Sequence, residues 1–166
     1  MFKRVNFTWM ALVLFAAVSV SCSLDGKRDD DINTPGDLPN LLLGEWRADL
    51  DGYSIKASTL RYIDDFGFGY TGTISFVSNY GSDSGVIIVN YTVPPSVGYN
   101  GNPYTAVYYR NLTGNAVQLA NVIDLSDYSS ADTTSLEEAK EKFTRSEMVN
   151  YVDWSLVSPF SKTPAQ

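Results

Sequence analysis

Few residues in this chain are able to do chemistry, and their spacing argues against turnover. Cys22 carries the only thiol, and histidine is absent. Ser-His-Asp and Cys-His catalysis are therefore excluded, together with His-ligated zinc or iron and any disulfide framework. What remains is a carboxylate pair, a lysine base or a cation held by oxygen ligands. Asp64-Asp65 is the nearest approach to a pair. Adjacent strand residues point to opposite faces, so the two do not converge on one substrate. Asp64-Asp65-Phe66-Gly67 reads as a turn opener, and Asp49 and Asp51 read as hairpin residues. Gly67 to Gly72 spells G-x-G-x-x-G. Phosphate cradling needs a helix N-terminus directly after such glycines. A β pattern follows instead, which makes the run a glycine-rich turn. Asn-x-Thr triplets at Asn90 and Asn111 fall within strands or turns and carry no weight. No catalytic residue, cofactor or metal is predicted.

The thiol is placed for attachment. Lys3 and Arg4 give a positive start, and Ala11 to Val20 is an apolar run too short for a comfortable transmembrane span. Ser19-Val20-Ser21-Cys22 then resembles the lipobox of bacterial lipoproteins, with Ser19 where leucine is usual. The resemblance implies a signal peptide over residues 1–21 and an acylated Cys22 as the mature N-terminus. It further implies an exported lipoprotein anchored to the outer membrane, on its periplasmic leaflet or at the cell surface. Residues 22–40, rich in Asp, Gly, Pro and Asn, read as the lipidated cysteine and a solvated tether. Coil statistics float the domain roughly 20–25 Å off the bilayer.

Loss of residues 1–21 leaves ten basic against 19 acidic residues, a net charge of −9. That balance argues against nucleic acid, sulfated polysaccharides and anionic lipid surfaces as partners. The acyl chains would hold the protein at the membrane unaided.

From Leu41 the pattern has period 2. Gly44 to Leu50 and Tyr53 to Lys56 flank Asp51-Gly52, a preferred hairpin pair. Thr59 to Ile63 is a short strand. In Tyr70 to Tyr80, Tyr70, Ile74, Phe76 and Tyr80 share one face. Gly85 to Val93 begins apolar on both faces, as in a strand covered on both sides. Tyr104 to Leu112 and Ala116 to Asp124 form a second hairpin around Thr113-Gly114-Asn115. Thr134-Ser135-Leu136-Glu137 is a capping box, and Leu136, Ala139 and Phe143 follow on one helical face. Val152, Trp154 and Leu156 alternate with Asp153 and Ser155, predicting a last strand before Pro159.

A strand meander, an outer helix and a closing strand resemble the lipocalin-like, or calycin, barrels. Gly44-Glu45-Trp46 matches that family's Gly-x-Trp on the first strand, which implies that Trp46 plugs the closed end. The chain is shorter than classical lipocalins. It also resembles small spirochaete lipoproteins of this build, through Tyr70-Thr-Gly-Thr-Ile74, Ser84-Gly-Val-Ile-Ile88, Ala106 to Leu112 and Phe143-Thr-Arg145. The expected fold is thus mainly β: an antiparallel lipocalin-like barrel of about eight strands over residues 41–160, one helix near the C-terminus, and a disordered tail over 161–166.

Eleven tyrosines, many on alternating strand positions, exceed what a sealed core of this size requires. Tyrosine offers an apolar face and a polar tip, suited to a cavity for an amphipathic ligand, and is equally a good strand residue. Tyr62, Phe76, Tyr91 and Tyr108 are the candidate liners, from four strands. Two non-enzymatic readings follow. One is a lipoprotein whose barrel binds a small apolar or amphipathic molecule. The other is a surface or periplasmic module with a filled barrel, whose loops, Pro94 to Pro103 above all, contact an envelope or host protein or a glycan.

Overall fold

A computed structural model describes residues 36–164. The expected signal peptide, Cys22 and most of the expected tether lie outside the described residues. The strands are β1 (Gly44–Ala48), β2 (Asp51–Ile55), β3 (Thr59–Ile63), β4 (Tyr70–Asn79) and β5 (Gly85–Val93). They continue with β6 (Tyr104–Arg110), β7 (Ala116–Asn121), β8 (Ile123–Asp124), β9 (Ser129–Ser130) and β10 (Phe160–Lys162). Eight of them close an antiparallel barrel in the order β1-β10-β7-β6-β5-β4-β3-β2, while β8 and β9 pair separately. Among the described residues one α-helix, α1 (Leu136–Lys142), packs outside. The mainly β barrel and single late helix are those the alternation predicts.

The meander puts the β1–β2, β3–β4 and β5–β6 connections at one end of the barrel. The opposite end is closed. There a 3-10 turn, Asn40–Leu42, brings Leu42 under the barrel, and the buried Trp46 indole donates Nε1–H to the Leu42 carbonyl at 2.8 Å. The ammonium of Lys162 sits 5.1 Å from the centroid of the Trp46 ring. The chain before it is also docked. The Gly36 amide donates to the Val77 carbonyl at 2.8 Å, and Asn79 donates to the Asp37 carbonyl at 3.0 Å. Gly36 and Asp37, expected within the tether, are therefore held against β4.

Two apolar clusters divide the strands. The inner one fills the barrel with Trp46, Tyr53, Ile87, Val89, Val107 and Tyr109, among others. The outer one holds Val86, Ile88, Ala106 and Tyr108 under Ala139 and Phe143 of the helical segment. β5 serves both, which is why its first five residues are all buried. β4 changes allegiance midway. Ile74 lies opposite Val89 but Phe76 lies opposite Ile88, so a bulge between them reverses the parity. Tyr70 and Ile74 consequently face in, while Phe76 and Tyr80 pack outside with the helix. The single face expected for Tyr70, Ile74, Phe76 and Tyr80 is split by this extra residue.

Three local readings are corrected. The first hairpin turns at Asp49 and Leu50, and Asp51 and Gly52 already belong to β2. Asp49 tolerates the positive φ of 40° that the turn needs, and Gly52 instead leaves room for the Arg47 side chain lying across it. The helix is capped one residue later than predicted. Ser135 Oγ accepts from the Glu138 amide at 3.2 Å, and Glu138 reaches back to the Thr134 amide at 2.9 Å. Lastly, Val152 to Leu156 is not a strand. Asp153 accepts from the Ser155 amide and hydroxyl at 3.0 and 2.6 Å, an Asx turn that folds the segment back. The closing strand is β10, pairing Lys162 with Trp46 and Phe160 with Val117. Ser161 and Lys162, expected in a disordered tail, are thus part of the barrel wall.

Candidate functional site

The open end is built from tyrosines. Inward positions on four successive strands carry Tyr53, Tyr62, Tyr70 and Tyr91, and the first three lie in direct cross-strand register. Their ring centroids follow one another at 4.9, 5.8 and 5.1 Å. Phe160 extends the row 5.2 Å beyond Tyr53, and Tyr99 of the β5–β6 loop extends it 5.6 Å beyond Tyr91. Tilted and edge-on aromatic pairs at such spacings add attraction beyond their buried area. The row spans the barrel mouth.

Each hydroxyl of this row that faces the mouth has an acceptor. Tyr62 donates to Asp51 at 3.0 Å, Tyr70 to Asn121 Oδ1 at 2.8 Å and Tyr91 to Asp132 Oδ1 at 3.1 Å. Burial pushes all three phenols well above their ordinary pKa, and neighbouring carboxylates add to the shift. They remain protonated donors and are unsuited to proton abstraction.

Around the row lie three cavities. One, about 320 Å³, is lined by Tyr62, Tyr70, Tyr91, Phe68, Val97 and Asp132, among others. A second of about 260 Å³ lies across the wall formed by Tyr62 and Asn121, toward Asp51 and Leu156. A third of about 330 Å³ lies beside Tyr62 and Tyr70 toward Arg61, Asp64 and Val93. Asp132 is the one carboxylate lining the first of these. It is 8% exposed, and burial raises its pKa against the hydroxyls of Ser130, Thr105 and Tyr91, which stabilise the charge. Lys142, whose charge lowers the Asp132 pKa slightly, is hydrogen-bonded to the Ala131 carbonyl at 2.7 Å. The described residues hold no cluster of three or more His, Cys, Asp or Glu that would bind a metal.

Of the four candidate liners, the structure brings Tyr62 and Tyr91 together in this cavity. Phe76 and Tyr108 are elsewhere. Both point to the outer face, Tyr108 donating to the Thr144 carbonyl at 2.9 Å and Phe76 lying 5.1 Å from the Lys140 ammonium. The β4 bulge turned Phe76 out. Tyr108 was one position from the inward Val107 and Tyr109, in a strand apolar on both faces, so alternation had no parity to offer. Tyr70 and Asp132 were missed. Tyr70 was legible as the start of an inward run. Asp132 reaches the mouth because Thr133 exchanges backbone bonds with the distant Tyr104, at 2.8 and 3.2 Å, a contact without a local marker.

Among the described residues, no helix is long and apolar enough to cross a membrane. Comparison of the chain with family models, curated proteins and solved structures gives no match.

Proposed function

We propose that the protein is a lipid-anchored cell-envelope lipoprotein whose lipocalin-like barrel binds a small apolar or amphipathic molecule at its open end. The observation that carries the binding reading is the cavity of about 320 Å³, walled by tyrosines from three strands and reached from the loop end. Sites for small ligands are concave, largely apolar and furnished with a few polar groups, and this one fits that description in size and lining. The anchor reading rests on Cys22 and the apolar run before it. The reading is non-enzymatic: protonated phenols and one hydroxyl-held carboxylate supply recognition without a nucleophile and base.

A second reading is favoured by a different observation. Phe66, Phe68, Val97, Tyr99 and Tyr128 are exposed on loops around the mouth. Exposed apolar groups gathered at one end are also what a protein-contacting module presents.

An environment-sensitive apolar dye separates the two. The folded domain should bind it at one saturable site, and Tyr91→Glu should weaken binding while Phe66→Ser leaves it intact. Zero stoichiometry with the fold retained would leave the interaction module as the better account. The anchor is tested separately. Cys22→Ser should abolish detergent partitioning of the full chain, and partitioning that survives would sink the lipoprotein assignment.

A further inference from the structure

The loop end of the barrel differs from the rest of the molecule in charge as well as in apolar exposure. Segments 49–50, 64–69, 94–103, 122–132 and 151–159 make up that end, and together they contain seven aspartates and no lysine or arginine. Of the eleven exposed large hydrophobic side chains among the described residues, all but Leu41 and Val149 lie on this end. An anion would meet a repulsive mouth, and a neutral apolar molecule would gain nothing from the aspartates. A cation with an apolar tail gains from both.

The interior of the cavity repeats the pattern. Asp132 stands at its wall without an ion-pair partner among the described residues. Next to it, Tyr91 and Tyr70 meet edge to face with centroids 5.1 Å apart, so ring surface and carboxylate lie side by side. A cation is attracted to the negative face of an aromatic ring, and a desolvated carboxylate adds to that attraction. The three hydroxyls around Asp132 hold its charge in place without neutralising it.

From this juxtaposition we infer that the mouth cavity selects a cationic amphipath: an ammonium head against Asp132 and the Tyr70 and Tyr91 rings, with an apolar tail leaving past Phe68 and Val97. The inference rests on the small-ligand reading and specifies its ligand class. Charge sensitivity follows from the groups packed around the carboxylate. The titratable groups facing it are Tyr91 of β5 and Tyr70 of β4, which burial keeps protonated, and Lys142 of α1, whose charge lowers the Asp132 pKa against the burial that raises it.

The test is calorimetric titration of the folded domain with octyltrimethylammonium, octanol and octanoate, three probes sharing one tail. The cation should bind one site about tenfold more tightly than octanol, and octanoate should bind most weakly. Lowering the pH through the carboxylate range should erase the preference for the cation and leave octanol affinity unchanged. Asp132→Asn should bring cation and alcohol together, and the wild-type probe series decides the matter even if that variant misfolds. Equal affinity for cation and octanol overturns this inference and leaves a small apolar ligand in place. Failure of all three probes to bind overturns the small-ligand reading itself.

Discussion

The two ends of the barrel spend their aromatic residues differently. At the closed end, Trp46 is buried among Leu42 and its neighbours, with its single N–H donated to a backbone carbonyl. At the open end, the tyrosines stack in a row and direct their hydroxyls to side chains of Asp51, Asn121 and Asp132. One arrangement removes surface from water. The other keeps a polar tip available on each ring and leaves space between the row and the loops. The contrast teaches that aromatic content alone does not distinguish core from site; the partners of the polar tip do.

Truncation of the plug should produce the largest effect. Trp46→Ala is expected to cost about 3–5 kcal/mol in chemical denaturation, as large aromatic deletions in cores do. A loss below about 1 kcal/mol would erase the distinction between the ends. Next comes a subtler cut at the open end. Tyr70→Phe keeps the ring in the row and removes only the donor to Asn121, which should cost about 1–2 kcal/mol by the same assay.

Asp132 should respond to pH in the opposite sense to an ordinary paired carboxylate. Its pKa is raised by burial, so the folded state holds the proton more firmly than the unfolded chain does. That contribution is complete below the unfolded value of about 3.9 and is lost as pH rises through the folded one. Asp132→Asn lacks it. The Tm difference, variant minus wild type, should therefore shift in favour of the variant as pH rises from about 4 through the carboxylate range. A difference that stays flat, or runs the other way, would show that the carboxylate is not penalised where it sits. Smallest of all should be Tyr128→Ser on the rim, where the side chain is 74% exposed. Stability should stay within about 0.5 kcal/mol, so that any change in dye binding reports the mouth alone.

Much of this architecture was legible in the residues. Period-2 runs marked β1 to β7, and two-sided apolarity at Gly85 to Val89 announced a strand with cover on both faces. Illegible features had causes that act across distance. The β4 bulge is a mismatch in residue count between two strands, and neither strand's own pattern records it. The turn falls at Asp49 and Leu50 because the β1–β2 register pairs Ala48 with Asp51 and Arg47 with Gly52, a cross-strand match that the Asp-Gly signal does not record. At the open end, Tyr62 and Tyr91 were found through chemistry and alternation together. Tyr108 failed where both faces of its strand are apolar, and Asp132 depends on the bridge between Thr133 and Tyr104.

Closure by β10 has a consequence in time. Strands β1 and β7 become neighbours only through Phe160, Ser161 and Lys162, yet residues 122–159 intervene after β7 is complete. At synthesis rates of about 5–20 residues per second, the emerging sheet waits roughly 2–8 s for its last member. Throughout that interval two strand edges present unpaired N–H and C=O groups, the usual template for association with another chain. A nascent protein of this topology is therefore an open ribbon until its final strand arrives, and the same delay gives any holding chaperone a defined window in which to act.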